Sequence, residues 1–175
     1  MKYLLILFLG ISTGLFGQVQ NSFPYKNADL SKIIHNQDTF YIGQIDGDKA
    51  YKIKFESVVK NPLAPEKYII IGVTDVEGII TNFKGEIIFK EKFAVKNNPD
   101  TVLLFGDFNF SEVSSRHNTD FFKGKIRVQT GSDISKSDGL SNVTFKGELK
   151  RAEDKTHQIW FGNFYHNDID KVIFR

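Results

Sequence analysis

From Asp38 onward the chain alternates apolar and polar residues with a period of two, and no long helical pattern interrupts that alternation. In Tyr51 to Glu56, Tyr51, Ile53 and Phe55 share one side, while Lys52, Lys54 and Glu56 share the other. Phe122 to Val128 repeats the pattern: Phe122, Gly124, Ile126 and Val128 oppose Lys123, Lys125 and Arg127. Val143 to Lys150 repeats it again. A period of two with one apolar side means strands with one face on a core and one in water. Parallel pairing needs long crossovers, and the short turns here leave no room for them. Neighbouring strands therefore run antiparallel, as a meander.

The expected fold is all-β: an antiparallel meander of about 8–10 strands that closes into a barrel or splits into a two-sheet sandwich, with one short N-terminal helix. The predicted strands are 39–46, 50–57, 67–74, 78–83, 84–92, 101–112, 120–129, 142–151, 157–166 and 171–174; the fourth and fifth can be one bent strand. Turn signals separate them at Asp46–Gly47–Asp48, Asp75 to Gly78, Asn97 to Asp100 and Asn167 to Asp170. Two longer loops are expected, at Val58 to Glu66 and Thr130 to Ser141. The 17 phenylalanines, against one Trp and one Met, suit pleated, half-buried surfaces.

One phrase recurs: Phe83 to Ile87 (FKGEI), Phe122 to Ile126 (FKGKI) and Phe145 to Leu149 (FKGEL). A second links Phe105–Gly106–Asp107–Phe108 with Phe161–Gly162–Asn163–Phe164. The spacings differ, which excludes a solenoid. In each FKG phrase the glycine falls on the apolar side. A glycine inside a strand marks a bend, a bulge or a close backbone approach, so these glycines read as corners of a closed or strongly coiled sheet. The functional alternative is a pocket in which a ligand nears the backbone.

The N-terminus reads as a signal peptide over residues 1–17, with Lys2 as its positive region and Tyr3 to Ile11 as its apolar run. Residues 18–37 form a lead-in with a short helix, and 38–175 a single β-domain. Asp29 can cap that helix, and Leu30, Ile33 and Ile34 make its apolar stripe. So short a helix is not stable alone and should dock on the sheet or plug one end of a barrel. The expected location is periplasmic or secreted, with no lasting membrane attachment after cleavage. There is no Cys, so neither a lipid anchor nor a disulfide is available. The 23 basic and 21 acidic residues give a net charge of +2 without blocks of like charge, and losing Lys2 with the leader leaves about +1. Nucleic acid is thereby excluded as a partner, because phosphate binding wants a concentrated basic footprint.

Chemistry-bearing motifs are sparse. No G-x-S-x-G, H-E-x-x-H or P-loop pattern is present. His117 to Asp120 and His166 to Asp170 are loose His–Asp pairs, which are more often turns than metal sites. No metal or cofactor is expected. The segment His157 to His166 puts large apolar groups on both faces of one strand. One face meets the core; the other meets the N-terminal helix, a partner or a ligand. Trp160, Tyr165 and His166 are the candidate ligand-binding residues, because amphipathic aromatics suit binding surfaces. The meander resembles in architecture small exported barrels such as lipocalins and avidin, although Tyr41–Ile42–Gly43 stands where a lipocalin has its G-x-W. The expected function is a non-catalytic binding module for a small apolar or amphipathic molecule, or for a protein partner. A small outer-membrane barrel and an enzyme with a non-local active site are the alternatives.

Overall fold

A computed structural model describes residues 27–36, 39–112, 120–136, 141–151 and 155–163. One short helix, α1 (Ser31–His35), precedes eight strands: β1 (Tyr41–Ile45), β2 (Lys49–Lys60), β3 (Lys67–Val76), β4 (Ile79–Val95), β5 (Asn98–Glu112), β6 (Phe121–Gly131), β7 (Asn142–Lys150) and β8 (Thr156–Gly162). Each strand pairs antiparallel with its neighbour, and β8 returns to pair with β1. The sheet is therefore a closed barrel, and of the two architectures the sequence allowed, the sandwich is set aside. The signal-peptide segment and the strand expected at 171–174 lie outside the described residues.

The core is aromatic. Phe145 touches Tyr41, Phe55, Phe108, Phe110 and Phe161, with ring centroids 4.4 to 6.4 Å apart. Phe55 of β2 reaches across the barrel to Phe110 of β5 and Phe145 of β7. These rings are fully buried, and each contributes roughly 1.5–3 kcal/mol by leaving water.

The repeated glycines sit among these rings as closure devices. Gly85 pairs across strands with Phe110, and Gly124 with both Phe108 and Gly147. A Cβ on Gly147 would stand 2.1 Å from the Lys123 carbonyl oxygen and 2.7 Å from the Gly124 Cα. Strongly curved strands come this close only where side chains are missing, and a neighbouring aromatic covers the gap. The corner reading of the FKG phrases is what the barrel uses.

Strand boundaries differ from expectation where the register slips. The 78–83 and 84–92 pieces are one strand, β4, with a bulge between Phe89 and Glu91. The expected loop at 58–66 starts later, because β2 continues to Lys60 past a register shift between Phe55 and Ser57. An extra residue inverts the alternation beyond it, which hides the strand's continuation from a period-two reading. Asn98 to Asp100 belongs to β5, so that turn is shorter than expected.

The helix α1 plugs one end of the barrel, with Leu30 and Ile34 fully buried in the core. Asp29 Oδ1 accepts from the Ser31 amide at 2.9 Å, one position ahead of the helix's cap residue, Leu30. Tyr41 Oη donates to the Ile34 carbonyl at 2.7 Å, and the Leu30 amide donates to Tyr68 Oη at 3.1 Å. Asn36 ends the helix in the left-handed region, at φ 59°, and its Oδ1 accepts from Asn163 Nδ2 just past β8.

Candidate functional site

Two places gather polar chemistry. The first is the rim opposite the helix. Inward positions are apolar through the middle of the barrel and turn polar at this rim. Glu112 pairs across strands with the buried Phe83 and so shares its inward side. Asp120 lies two residues before the buried Phe122, and Arg151 two residues after the buried Leu149. The Glu112 amide donates to the Asp120 carbonyl at 2.9 Å, which carries the β5–β6 pairing out to the rim. Thr74 Oγ1 lies 2.7 Å from Glu112 Oε1 and 3.3 Å from the Thr81 carbonyl. Arg151 Nε and Asp120 Oδ2 form an ion pair at 3.7 Å.

Tyr51 forms the inner wall of this rim, its ring against Phe122 and Phe161. Among the described residues its hydroxyl is buried and makes no hydrogen bond, and Arg151 Nε is likewise buried without a hydrogen-bond partner. Burial pushes the Tyr51 pKa well up; the Glu112 and Asp120 charges add to this, and Arg151 opposes it. Burial also raises the Glu112 carboxyl, against the Thr74 hydrogen bond that favours its ionised form.

The second place is a cleft of about 350 Å³ on the outer wall, lined by Lys90, Glu91, Phe93, Phe105, Gly106, Asp107 and Lys125. The β4 bulge helps shape it. Phe93 and Phe105 meet edge to face at 5.5 Å. Asp107 accepts from both Lys125 and Lys90, and these two bonds hold its carboxyl below the usual range.

Trp160 lies on the outer wall of β8 and belongs to the same transverse row as this cleft. Cross-strand pairing runs from Asp107 to Lys125, then Lys146, then Trp160. Strands stand about 4.8 Å apart, so Trp160 is roughly 10 Å from the Lys125 backbone. Tyr165 and His166 lie outside the described residues, as does His117. The helix sits at the barrel end, against β2, because its apolar stripe completes the core there, which is the plugging alternative that the sequence offered beside docking on the sheet.

One histidine does meet a carboxylate. His157 Nδ1 and Asp46 Oδ2 are 2.6 Å apart, and Asp46 Oδ1 accepts from the Gln158 amide at 2.8 Å. These bonds, with the Asp46 amide on the Gln158 carbonyl, extend the short β1–β8 seam beyond its last strand pair. The pair fastens the barrel's closure. Among the described residues, no three His, Asp or Glu side chains converge as a metal site.

Period-two logic carried two steps past Phe110, Leu149 and, in reverse, Phe122 would have reached Glu112, Arg151 and Asp120. The cleft had no such signal, because a bulge creates it. No family model, curated protein or solved structure matches the chain.

Proposed function

We propose that this chain is an exported, non-catalytic binding module that holds an amphipathic ligand with an anionic head in the outer-wall cleft. The observation that carries this reading is the filling of the barrel's middle by rings in mutual contact, which moves ligand binding off the lumen and onto the wall. The cleft offers the two surfaces such a ligand needs. Phe93 and Phe105 receive its apolar end. Lys90 and Lys125 flank that end, and Lys123, Arg127 and Lys146 stand on neighbouring outward positions. These cations outnumber the nearby carboxylates of Glu91, Asp107 and Glu148.

Export to the periplasm or the exterior rests on Lys2 and the apolar run Tyr3 to Ile11. A barrel standing in water is favoured over one spanning a membrane by its outward lysines. Lys52, Lys54, Lys123, Lys125 and Lys146 alternate with core residues on β2, β6 and β7. Each would cost about 2–4 kcal/mol facing hydrocarbon at mid-depth.

The test is titration with 8-anilinonaphthalene-1-sulfonate, an amphipathic anion whose excitation by energy transfer from Trp160, the chain's one tryptophan, reports proximity. Saturable one-to-one binding is expected. Phe105→Ser and Lys125→Glu should each weaken it about tenfold, close to 1.4 kcal/mol. Lys52→Glu, on β2, should leave it unchanged. Non-saturating binding, or equal losses in all three variants, would reject the cleft.

A further inference from the structure

We propose that Asp107 occupies the outer-wall cleft's own anion position, so that the cleft selects an amphipathic phosphate monoester over a carboxylate of the same length. This rests on the cleft reading above and names the head group that reading leaves open.

The inference starts from how the cleft's two lysines are used. Asp107 faces outward on β5. Lys125 is its cross-strand partner on β6, and Lys90 is the residue that the β4 bulge leaves without a cross-strand position. Asp107 Oδ2 accepts from Lys90 Nζ, and its Oδ1 accepts from Lys125 Nζ. The Lys125 bond first, and the Lys90 bond second, hold its carboxyl below the usual carboxylate range. The charge therefore stays between the two ammonium groups at neutral pH, where the head of a bound anion would stand. The Asp107 side chain is 34% exposed, and those of Lys90 and Lys125 are 54% and 75% exposed. A ligand head can thus reach both lysines, and the displaced carboxylate can turn to water.

That arrangement selects the head group. A ligand carboxylate that replaces Asp107 exchanges one charge for the same charge. Exposed ion pairs contribute little individually, so a like-for-like exchange leaves no surplus. A phosphate monoester carries close to two negative charges above its second pKa of about 6, with three acceptor oxygens. It takes a bond from each lysine, as Asp107 does, and its second charge is the surplus that displaces Asp107. Phe93 and Phe105, edge to face at 5.5 Å, receive the apolar end. The cleft's volume of about 350 Å³ is at the small end for ligand sites, which suits one head group on a short tail.

Isothermal titration calorimetry on the full chain tests this at pH 8 and about 0.15 M salt, where distant charges are screened. The probes are octanol, octanoate and octyl phosphate, which share a tail and differ in head. Octyl phosphate should bind about tenfold more tightly than octanoate, and octanoate no more tightly than octanol. Asp107→Asn keeps the shape, removes the charge and releases both lysines. In that variant octanoate should exceed octanol by about tenfold. Asp75→Asn takes the same charge from a carboxylate paired with Lys52 elsewhere on the wall, and should keep the parent's order of the three probes. Phe105→Ser should weaken all three. If no probe binds, or Phe105→Ser changes none of them, the cleft reading falls and this inference with it. If Phe105→Ser weakens all three, the cleft stands. The inference alone is then overturned by octanoate matching octyl phosphate in the parent chain, or by Asp107→Asn failing to lift octanoate above octanol.

Discussion

The two ends of the barrel solve the same problem in opposite ways. Each end brings inward-facing tyrosine to the limit of the apolar core. At the helix end, Tyr41 donates to the Ile34 carbonyl and Tyr68 accepts from the Leu30 amide. The backbone of the helix and of its cap residue, Leu30, thus satisfies the tyrosines, and they satisfy it. At the far rim, Tyr51 is as deeply buried, and its hydroxyl has no hydrogen-bond partner among the described residues. Charged side chains stand around it where α1 stands at the other end. One end is closed by the chain's own backbone; at the other, the described residues give the Tyr51 hydroxyl no hydrogen bond. A buried polar group that pairs internally adds to stability, and one without a partner calls for an explanation of its own.

The largest expected effect is one that abolishes the contrast. Phe145 lies between the ends and joins rings from both, Tyr41 on one side and Phe110 on the other. Phe145→Ala should cost about 3–5 kcal/mol, the usual toll for emptying a large core position, and urea denaturation will read it. A loss well below 1 kcal/mol would show that the two ends are not linked through one packed interior.

Next in size is the contrast itself. Tyr41→Phe leaves the Ile34 carbonyl without its partner and should cost about 1–3 kcal/mol. Tyr51→Phe removes a hydroxyl that pairs with nothing, and should leave unliganded stability unchanged or raise it. Thermal melts of the two variants decide the matter. Equal losses at both positions would mean that Tyr51 is satisfied in solution, and the asymmetry of the ends would fall.

Much of this molecule could be read from its alternation, and what could not has physical causes. Tyr51, Ile53 and Phe55 announced an inward face, and Leu30 with Ile34 announced the plug. The FKG glycines announced closure, because only missing side chains let Gly124 and Gly147 approach so closely. The bulges in β2 and β4 were hidden, since an extra residue resets the period without leaving a compositional mark. The outer cleft went unseen with them, because the β4 bulge shapes it. The far rim was hidden differently. Glu112, Asp120 and Arg151 stand at strand ends, where polar residues ordinarily mark turns, and only closure of the sheet brings β2, β3, β5, β6 and β7 together around Tyr51. Trp160 stood out for its size, and its place in the row with Lys125 depends on cross-strand register that no single strand reveals.

The smallest effect sharpens the comparison by pH. Two carboxylates at the far end of the barrel, Glu112 at the rim and Asp46 beside the β1–β8 seam, are shifted in opposite senses. Asp46 is held below its usual range by the His157 side chain first and the Gln158 amide second. Its contribution to stability is present at neutral pH and is lost as pH falls through that lowered value, below the ordinary carboxylate pKa of about 4. Glu112 is raised by burial. Its neutral form is the favoured one in the folded barrel, so that contribution is complete below about 4 and is lost as pH rises through the raised value. Glu112→Gln fixes the neutral form and keeps a group that bonds with Thr74, so it should raise the melting temperature at pH 7 and change it little at pH 4. Asp46→Asn should do the reverse, lowering the melt at pH 7 while flattening its decline in acid. If Glu112→Gln instead destabilises at pH 7, the ionised carboxylate is welcome at the rim. Arg151 then neutralises it more fully than a 3.7 Å pairing with Asp120 suggests, and the far end would be as self-satisfied as the plugged one.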